Sequence, residues 1–556
     1  MELLTHNLAP LMFVVLIAIL LLGYPVAFAL AANGMLFALI GLKLGLLTPA
    51  LFQALPERVF GVMMNDTLLA LPFFTFMGLI LERSGMAEDL LDTVGQLFGP
   101  IRGGLSFAVV GVGALLAATT GVVSASVISM GLISLPIMLR YGYDRRIATG
   151  VIAASGTLSQ IIPPSLTLIV LADQLGRSVG DMYRGALVPG LVLTGLYIAY
   201  IALTAWLRPD TMPALPPEAR KLRQPDGSSG LPSLLVLGAV SLAIALVADR
   251  HVAVAPSAID EQVVLGVLSW GVAAFVLAVL NRLFRFGLLS TMAERVTFVM
   301  FPPLFLVFLV LGTIFIGLAT PTEGGAMGAA GALLLALVRR RMNLKLLQQS
   351  MESTTRLTCF ALFILVGSSV FSLAFRAVNG DLWVEHLLAN LPGGVLGFLV
   401  FANLFTFIGA FFLDFFELAF IVIPLLGPAA SKLGIDLVWF GILIAVTMQT
   451  SFMHPPFGLA LFYLRSVAAH DDYKDPVTGK TVPKVTTSQI YWGSVPFIVI
   501  QLVMVGIVMA FPQLVVHDKG AARPVDPAGT RIEVPGSGGG GNPYESAPGL
   551  APPSNQ

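Results

Sequence analysis

Apolar residues fill long stretches of this chain, and polar ones gather in short interruptions between them. Leu11 to Leu22 forms one apolar run, Gly23-Tyr24-Pro25 breaks it, and a second run continues to Leu42. Further runs lie near 62–81, 105–118, 122–139, 147–172, 185–206, 231–248, 263–281, 297–319, 321–338, 357–376, 393–412, 414–430, 437–464 and 489–511. About 20 residues cross the hydrocarbon core as a helix, so the shorter runs need not cross. The pattern predicts an all-α polytopic membrane protein. From Val516 to Gln556 the pattern stops; the Gly538–Gly541 run and many Pro, Ser and Asn predict a disordered tail.

Composition agrees with this. Of 556 residues, 56% are hydrophobic and only 11% charged, with mean hydropathy +0.89; a soluble domain carries roughly 25% charged residues. Lys and Arg number 31, as do Asp and Glu, so no basic excess points to nucleic acid. A single cysteine, Cys359, excludes an intrachain disulfide framework. No Lys or Arg precedes Lys43, whereas a signal peptide carries a positive region ahead of its apolar core; the first run therefore reads as a membrane segment.

The distribution of charge orients the chain. Basic residues cluster at Arg140, Arg145 and Arg146; at Arg208, Arg220, Lys221 and Arg223; at Arg282 and Arg285; and at Arg339 to Arg341 with Lys345. By the positive-inside rule these loops are cytoplasmic, and counting outward, with the segments near 122–139 and 414–430 in hairpins that enter and leave on one side, places both termini on the opposite side.

Two stretches match. Gly142-Tyr143-Asp144 is followed 21 residues after its glycine by Pro163-Pro164, and Gly434-Ile435-Asp436 is followed at the same spacing by Pro455-Pro456. Pro136 and Pro424 precede the two copies. The loop before Gly142 is rich in arginine and that before Gly434 is not, so the copies read as inverted, the arrangement of secondary transporters with interrupted helices. The expected division is a first repeat over 1–206, a linker with an extra helix pair over 207–294, a second repeat over 295–515, and the tail 516–556.

Paired prolines remove two backbone donors and leave carbonyls a turn earlier without partners. In hydrocarbon those groups must face protein, water or an ion. Oxygen donors near the first break are Ser155, Thr157, Ser159, Gln160 and Ser165; near the second, Thr447, Gln449, Thr450 and Ser451. The plainer alternative is a pair of kinked structural helices with hydroxyls bonded to their own carbonyls. Asp414 and Glu417, three apart in an apolar run, share a face if that run is helical, and intramembrane carboxylates mark functional sites. Thr320-Pro321-Thr322-Glu323 reads as a structural capping box. His454 before Pro455 is either a titrating group or a neutral, hydrogen-bonded residue of the break. The connection Asp471 to Asp475 reads as solvated. No Walker loop and no His-Glu-x-x-His spacing is present, so neither an ATP-driven pump nor a hydrolytic enzyme is supported.

These residues also carry a family likeness. The sequence resembles the large membrane subunit of tripartite ATP-independent periplasmic (TRAP) transporters through Gly23-Tyr24-Pro25-Val26-Ala27-Phe28, Leu71-Pro72-Phe73-Phe74 with Met77-Gly78, Gly142-Tyr143-Asp144, Ile161-Ile162-Pro163-Pro164-Ser165, Pro189-Gly190, Thr320-Pro321-Thr322-Glu323, Gly434-Ile435-Asp436 and Pro455-Pro456-Phe457-Gly458. The likeness covers roughly 1–206 and 295–515. It implies a sodium-coupled elevator in the bacterial inner membrane, with both termini periplasmic and two re-entrant hairpins at Thr119–Ser129 and Gly409–Glu417. The partners it implies are a periplasmic substrate-binding protein and a small four-helix membrane subunit, neither fused here. The substrate it implies is an organic anion, usually a carboxylate, with sodium as coupling ion and no cofactor. The residues it singles out for sodium are Thr119, Thr120, Gly121, Ser159, Ile162, Pro164, Asp414, Thr450, Ser451, His454 and Pro456. For substrate they are Ser124, Ser126, Gln160, Ser165 and Gln449. The first hairpin tip departs from the family's Ser-Gly-Ser-Ser, reading Thr120-Gly121-Val122-Val123. A stand-alone carboxylate/cation symporter or antiporter is the rival transport reading, and a membrane-embedded enzyme or scaffold the rival from another class.

Overall fold

A computed structural model describes residues 7–121, 123–220, 230–251, 259–389, 391–455 and 458–516. The tail 517–556 and Pro456 lie outside the described residues. Among the described residues nine helices are long and apolar enough to cross a membrane, or ten if one bent pair is counted as a span.

The first half contains α1 (Leu8–Leu21), α2 (Val26–Lys43), α3 (Ala50–Met63), α4 (Ala70–Arg83), α5 (Met86–Phe98), α6 (Gly104–Thr120), α7 (Val123–Arg140), α8 (Arg145–Thr157), α9 (Leu166–Leu175) and α10 (Val179–Leu207). An extra pair, α11 (Leu231–His251) and α12 (Ile259–Phe284), packs together and against α13. The second half contains α13 (Thr291–Phe315), α14 (Pro321–Val338), α15 (Leu344–Ala377), α16 (Gly380–Ala389), α17 (Gly394–Gly409), α18 (Phe415–Lys432), α19 (Leu437–Gln449), α20 (Leu459–Val467) and α21 (Thr487–Ala510).

Element lengths recur between the halves. The 18 residues of α2 return as the 18 of α14, 295 positions on (Val26 to Pro321). The stretch from the start of α3 to the end of α4 returns as α15, 294 positions on (Ala50 to Leu344, Arg83 to Ala377). At 292 positions, α7 returns as α18 (Val123 to Phe415) and α8 as α19 (Arg145 to Leu437). At that offset Pro136 falls on Pro428, not on Pro424 as the sequence comparison had it. The glycines opening the two matched motifs both adopt positive φ, 86° at Gly142 and 71° at Gly434, the left-handed turn that spares glycine a Cβ penalty.

Packing is exchanged between the halves in the same sense. Helix α2 packs on α15 while α14 packs on α4, and α9 packs on α18 while α20 packs on α7. The paired helices also run in opposite directions. The backbone N–H of Asp144, the cap of α8, donates to Thr211 just beyond the C-terminal end of α10 at 2.9 Å. At the N-terminal end of α10, a Cβ on Gly185 would stand 3.1 Å from Val438, in the first turn of α19. So α8 and α19 start at opposite ends of the 29-residue α10 and run toward each other.

Three expectations change. The apolar run at 62–81 belongs to a longer unit: α3 and a 3-10 turn leading into α4 are bent by 41°, with Asn65 capping the turn by accepting from Thr67 N–H at 3.0 Å. The run at 357–376 is part of a 34-residue helix that begins at Leu344, where polar residues hid its first turns from a hydropathy window. The 471–475 connection is not solvated throughout. Tyr473–Lys474 and Thr481–Val482 pair as two short antiparallel strands, and Asp475, 3% exposed, bonds Arg140 Nε at 2.8 Å and accepts from Thr478 N–H and Oγ1, each at 2.7 Å. Burial works against the Asp475 charge, but the Thr478 and Arg140 donors outweigh it and hold the carboxyl down at about 2.

Candidate functional site

Each Pro-Pro motif ends a helix in the same way. After α8 the chain tightens into a 3-10 turn at Leu158–Gln160, and after α19 into one at Thr450–Phe452. Asp144 starts α8 by accepting from Arg146 and Ile147 N–H at 2.8 and 3.2 Å, and Asp436 starts α19 by accepting from Trp439 N–H at 2.9 Å. These caps satisfy orphan donors at the helix starts, and the prolines prevent the helices from continuing.

The hydroxyls near the breaks are mostly bonded to carbonyls of their own segment. Ser155 donates to Val151 O, Thr157 to Ala154 O, Ser159 to Gly156 O, Ser165 to Gln160 O and Thr450 to Thr447 O, at 2.6 to 2.9 Å. This is the local back-bonding foreseen as the plainer alternative. It spends each hydroxyl's proton and leaves its oxygen as an acceptor. Ser451 Oγ is buried and makes no hydrogen bond, and the same is true of Gln449 Oε1.

The two breaks meet. Gln449 Nε2 donates to Thr157 Oγ1 at 3.1 Å, and Gln501 Nε2 of α21 reaches Thr157 Oγ1 at 3.3 Å and Tyr197 Oη at 3.0 Å. Thr447 Oγ1 donates to Asn403 Oδ1 at 2.5 Å. Tyr197, Gln501 and Asn403 escaped the sequence reading; each is a lone polar residue within an apolar run, a signal too common among membrane helices to select them.

The C-terminal end of α6 and the start of α18 come to the same place. Gly121, with φ 58°, closes α6; a Cβ there would stand 3.2 Å from Leu166 Cγ and 3.6 Å from the Pro164 carbonyl oxygen. Thr119 and Thr120 form the last turn of α6, and their side chains lie outside the described residues. In the second half Asp414 does not share a helix face with Glu417, because the helix starts one residue later. Asp414 is the N-cap of α18: its Oδ1 accepts from Glu417 N–H, and Glu417 Oε2 accepts from Asp414 N–H, both at 2.9 Å. Thr320 and Glu323 form the corresponding capping box on α14, at 3.2 and 2.8 Å.

A cavity of about 300 Å³ is lined by Gly121, Ser124, Gln160, Leu166, Asp414, Phe452 and Tyr463, and by Leu357 and Phe360 of α15. The Gly121 end of α6, the Asp414 cap of α18 and residues of both breaks thus border one space. Ser126, Ser159, Ile162, Ser165, Gln449, Thr450, Ser451 and His454 are buried and do not line it. His454, 1% exposed, stacks on Phe411 with centroids 4.2 Å apart and meets the edge of Phe407 at 4.5 Å. No partner meets either ring nitrogen at hydrogen-bond geometry, so the ring is held by the stack on Phe411 and the edge contact with Phe407 where a hydrogen-bonded histidine was expected.

Oppositely directed broken helices, meeting beside one cavity among apolar spans, define a polytopic membrane permease rather than an enzyme. The chain belongs to the family described as "Tripartite ATP-independent periplasmic transporter, DctM component", whose model matches residues 13–514. It is 26% identical over 469 residues to the C4-dicarboxylate TRAP transporter large permease protein DctM of Rhodobacter capsulatus, covering 82% of this chain and 89% of that one. It is 24% identical to the ectoine/5-hydroxyectoine TRAP transporter large permease protein UehC of Ruegeria pomeroyi, covering 90% and 96%. The sialic acid TRAP transporter permease protein SiaT of Haemophilus influenzae is 22% identical, covering 83% and 61%. Among solved structures, the Alcanivorax borkumensis YdaH transporter aligns at TM-score 0.48 and 15% identity, covering 83% of this chain and 88% of that one.

Proposed function

We propose that this chain is the large permease subunit of a sodium-coupled, binding-protein-dependent importer of organic anions, carboxylates above all. The observation that carries the reading is the meeting of Thr157 and Gln449, 292 positions apart, at the tips of two oppositely directed broken helices. Relatives named for C4-dicarboxylates, sialic acid, ectoine and isethionate support the substrate class. A periplasmic binding protein delivers the substrate, and a small four-helix subunit completes the membrane complex.

Sodium, as transported ion, would be held by carbonyls that the Pro163-Pro164 and Pro455-Pro456 breaks release, with Ser159, Thr450, Ser451 and Gly121 close by and Asp414 supplying negative charge. The substrate would sit in the 300 Å³ cavity against Ser124 and Gln160. The exchanged packing supports an inverted repeat whose halves are 1–206 and 295–515, with α6–α7 and α17–α18 as re-entrant hairpins moving as one body against the scaffold. Both termini then face the periplasm.

Melting of the purified complex tests the ion directly. Sodium, compared with potassium at equal ionic strength, raises the melting temperature because an ion bound only by the native state stabilises it, and Ser451→Ala weakens that rise. Equal melting in the two salts contradicts sodium binding.

A further inference from the structure

Two large cavities lie at opposite ends of α15, the first between this helix, α4 and α7, the second between it, α3, α9 and α18. The first, of about 810 Å³, is lined by Glu82, Arg83, Ser124, Glu352 and Arg356 among others. The second, of about 470 Å³, is lined by Arg58, Asn65, Asp173, Ser372 and Arg376 among others. The first shares Ser124, Leu357 and Phe360 with the cavity at the breaks, whereas the second shares no residue with it.

The repeat relates the two cavities. Arg58 stands 294 positions before Glu352, and Glu82 stands 294 before Arg376, the same offset that carries α3–α4 onto α15. At both pairs of equivalent positions the sign of charge is reversed. The first cavity holds the two glutamates, balanced by Arg83 and by Arg356, which pairs with Glu352 at 3.1 Å. The second holds the two arginines, and among the described residues neither makes an ion pair. The one carboxylate there, Asp173, already accepts from Asn65 and from Gln174 Nε2. Arg376 also borders an adjoining cavity with Asp381 and Lys432, whose opposite charges offset each other.

The ends of α15 are distinguished by Arg341, which donates to the Ser84 and Gly85 carbonyls immediately after Arg83 at 3.2 and 2.9 Å. The Arg339–Arg341 loop is cytoplasmic by the positive-inside rule, so the glutamate cavity faces the cytoplasm and the arginine cavity the periplasm.

We infer that the Arg58–Arg376 cavity is a separate holding site for an organic oxyanion, occupied on the periplasmic side before substrate reaches the cavity at the breaks. Two guanidinium forks match a carboxylate's geometry, and a cleft whose two arginines outnumber its one carboxylate, Asp173, concentrates anions. The equivalent position on the cytoplasmic side, bearing Glu82 and Glu352, has no such excess and does not retain the anion. The inference rests on the transport reading for its direction only.

The test uses the full chain in a Cys359→Ser background with one new cysteine, Ser372→Cys in the arginine cavity or Gln349→Cys in the glutamate cavity. Labelling rates with anionic sulfonatoethyl and cationic trimethylammonioethyl methanethiosulfonate are each normalised to free cysteine. The anionic-to-cationic ratio is expected to be ~10-fold higher at Ser372→Cys, to collapse in Arg58→Gln/Arg376→Gln, and to survive Arg376→Lys, which controls for folding. Succinate slows labelling at Ser372→Cys only when the arginines are present. Equal ratios at the two cysteines, or no slowing by succinate, overturn the inference. Because labelling needs no uptake, absence of transport by the unsubstituted complex would count against the transport reading alone.

Discussion

Gln449 and Thr157 occupy equivalent positions in the two halves of the chain and bond each other at 3.1 Å, at the point where the broken helices meet. Gln501 and Tyr197 complete the network. Removing one partner from a buried network leaves the others unsatisfied, at a cost of about 1–3 kcal/mol. Gln449→Leu should therefore raise the sodium concentration for half-maximal uptake by ~10-fold, with Thr157→Ser, which keeps the accepting hydroxyl, less affected. An unchanged sodium dependence in Gln449→Leu would reduce the contact to simple packing.

The Asp414 carboxylate both caps α18 and borders the cavity, and two substitutions separate these roles. Asparagine keeps an acceptor for the Glu417 N–H, whereas alanine loses the cap, which costs about 1 kcal/mol. Asp414→Asn should keep the melting temperature and lose sodium-dependent uptake, while Asp414→Ala loses both. If Asp414→Asn transports normally, the residue is a cap and nothing more.

Helices α8 and α21 approach through glycine. A Cβ on Gly150 would lie 2.1 Å from the Gly493 carbonyl oxygen, and one on Gly493 would lie 2.2 Å from that of Arg146. Backbone on both sides cannot yield cheaply, so Gly150→Ala should cost at least the ~1–3 kcal/mol typical of overpacking. Reduced yield and a lower melting temperature are expected; an unaltered melting curve would show that the helices separate without cost.

Beyond the C-terminal end of α7, Asp475 clips the two-stranded loop to Arg140. Its native carboxyl, held down at about 2 against an ordinary 3.8, contributes stability that is complete above the ordinary value and fades as pH falls through the native one. The melting difference between the unsubstituted protein and Asp475→Asn should be constant from neutral pH to about 5 and shrink below about 4. A difference that grows on acidification would have the wrong sign for this clip.

How much of this was legible in the sequence depends on the scale of the signal. The breaks were legible because Pro-Pro at a fixed distance from Gly-x-Asp is a backbone constraint that holds in any surroundings. The cap at Thr320 and Glu323 was legible for the same reason. Asp414 was misplaced by one residue, enough to turn a helix-face pair into a capping box, because apolar sequence on both sides gave no start signal apart from the acid itself. Helices α5 and α16 were missed because amphipathic segments fall below a hydropathy window. The meeting of Thr157 with Gln449 and the charge reversal between Arg58 and Glu352 depend on how the halves pack, and no local pattern encodes them.

The central claim is coupled import, and counting uptake tests it most directly. The chain, its small subunit and its binding protein are placed in proteoliposomes, and radiolabelled succinate, sialic acid and ectoine are offered with and without an inward sodium gradient. Accumulation of one of them above equilibrium is expected only with the gradient and only with the binding protein present. Accumulation that persists without sodium would contradict the account, and accumulation without the binding protein would replace it with that of a stand-alone symporter.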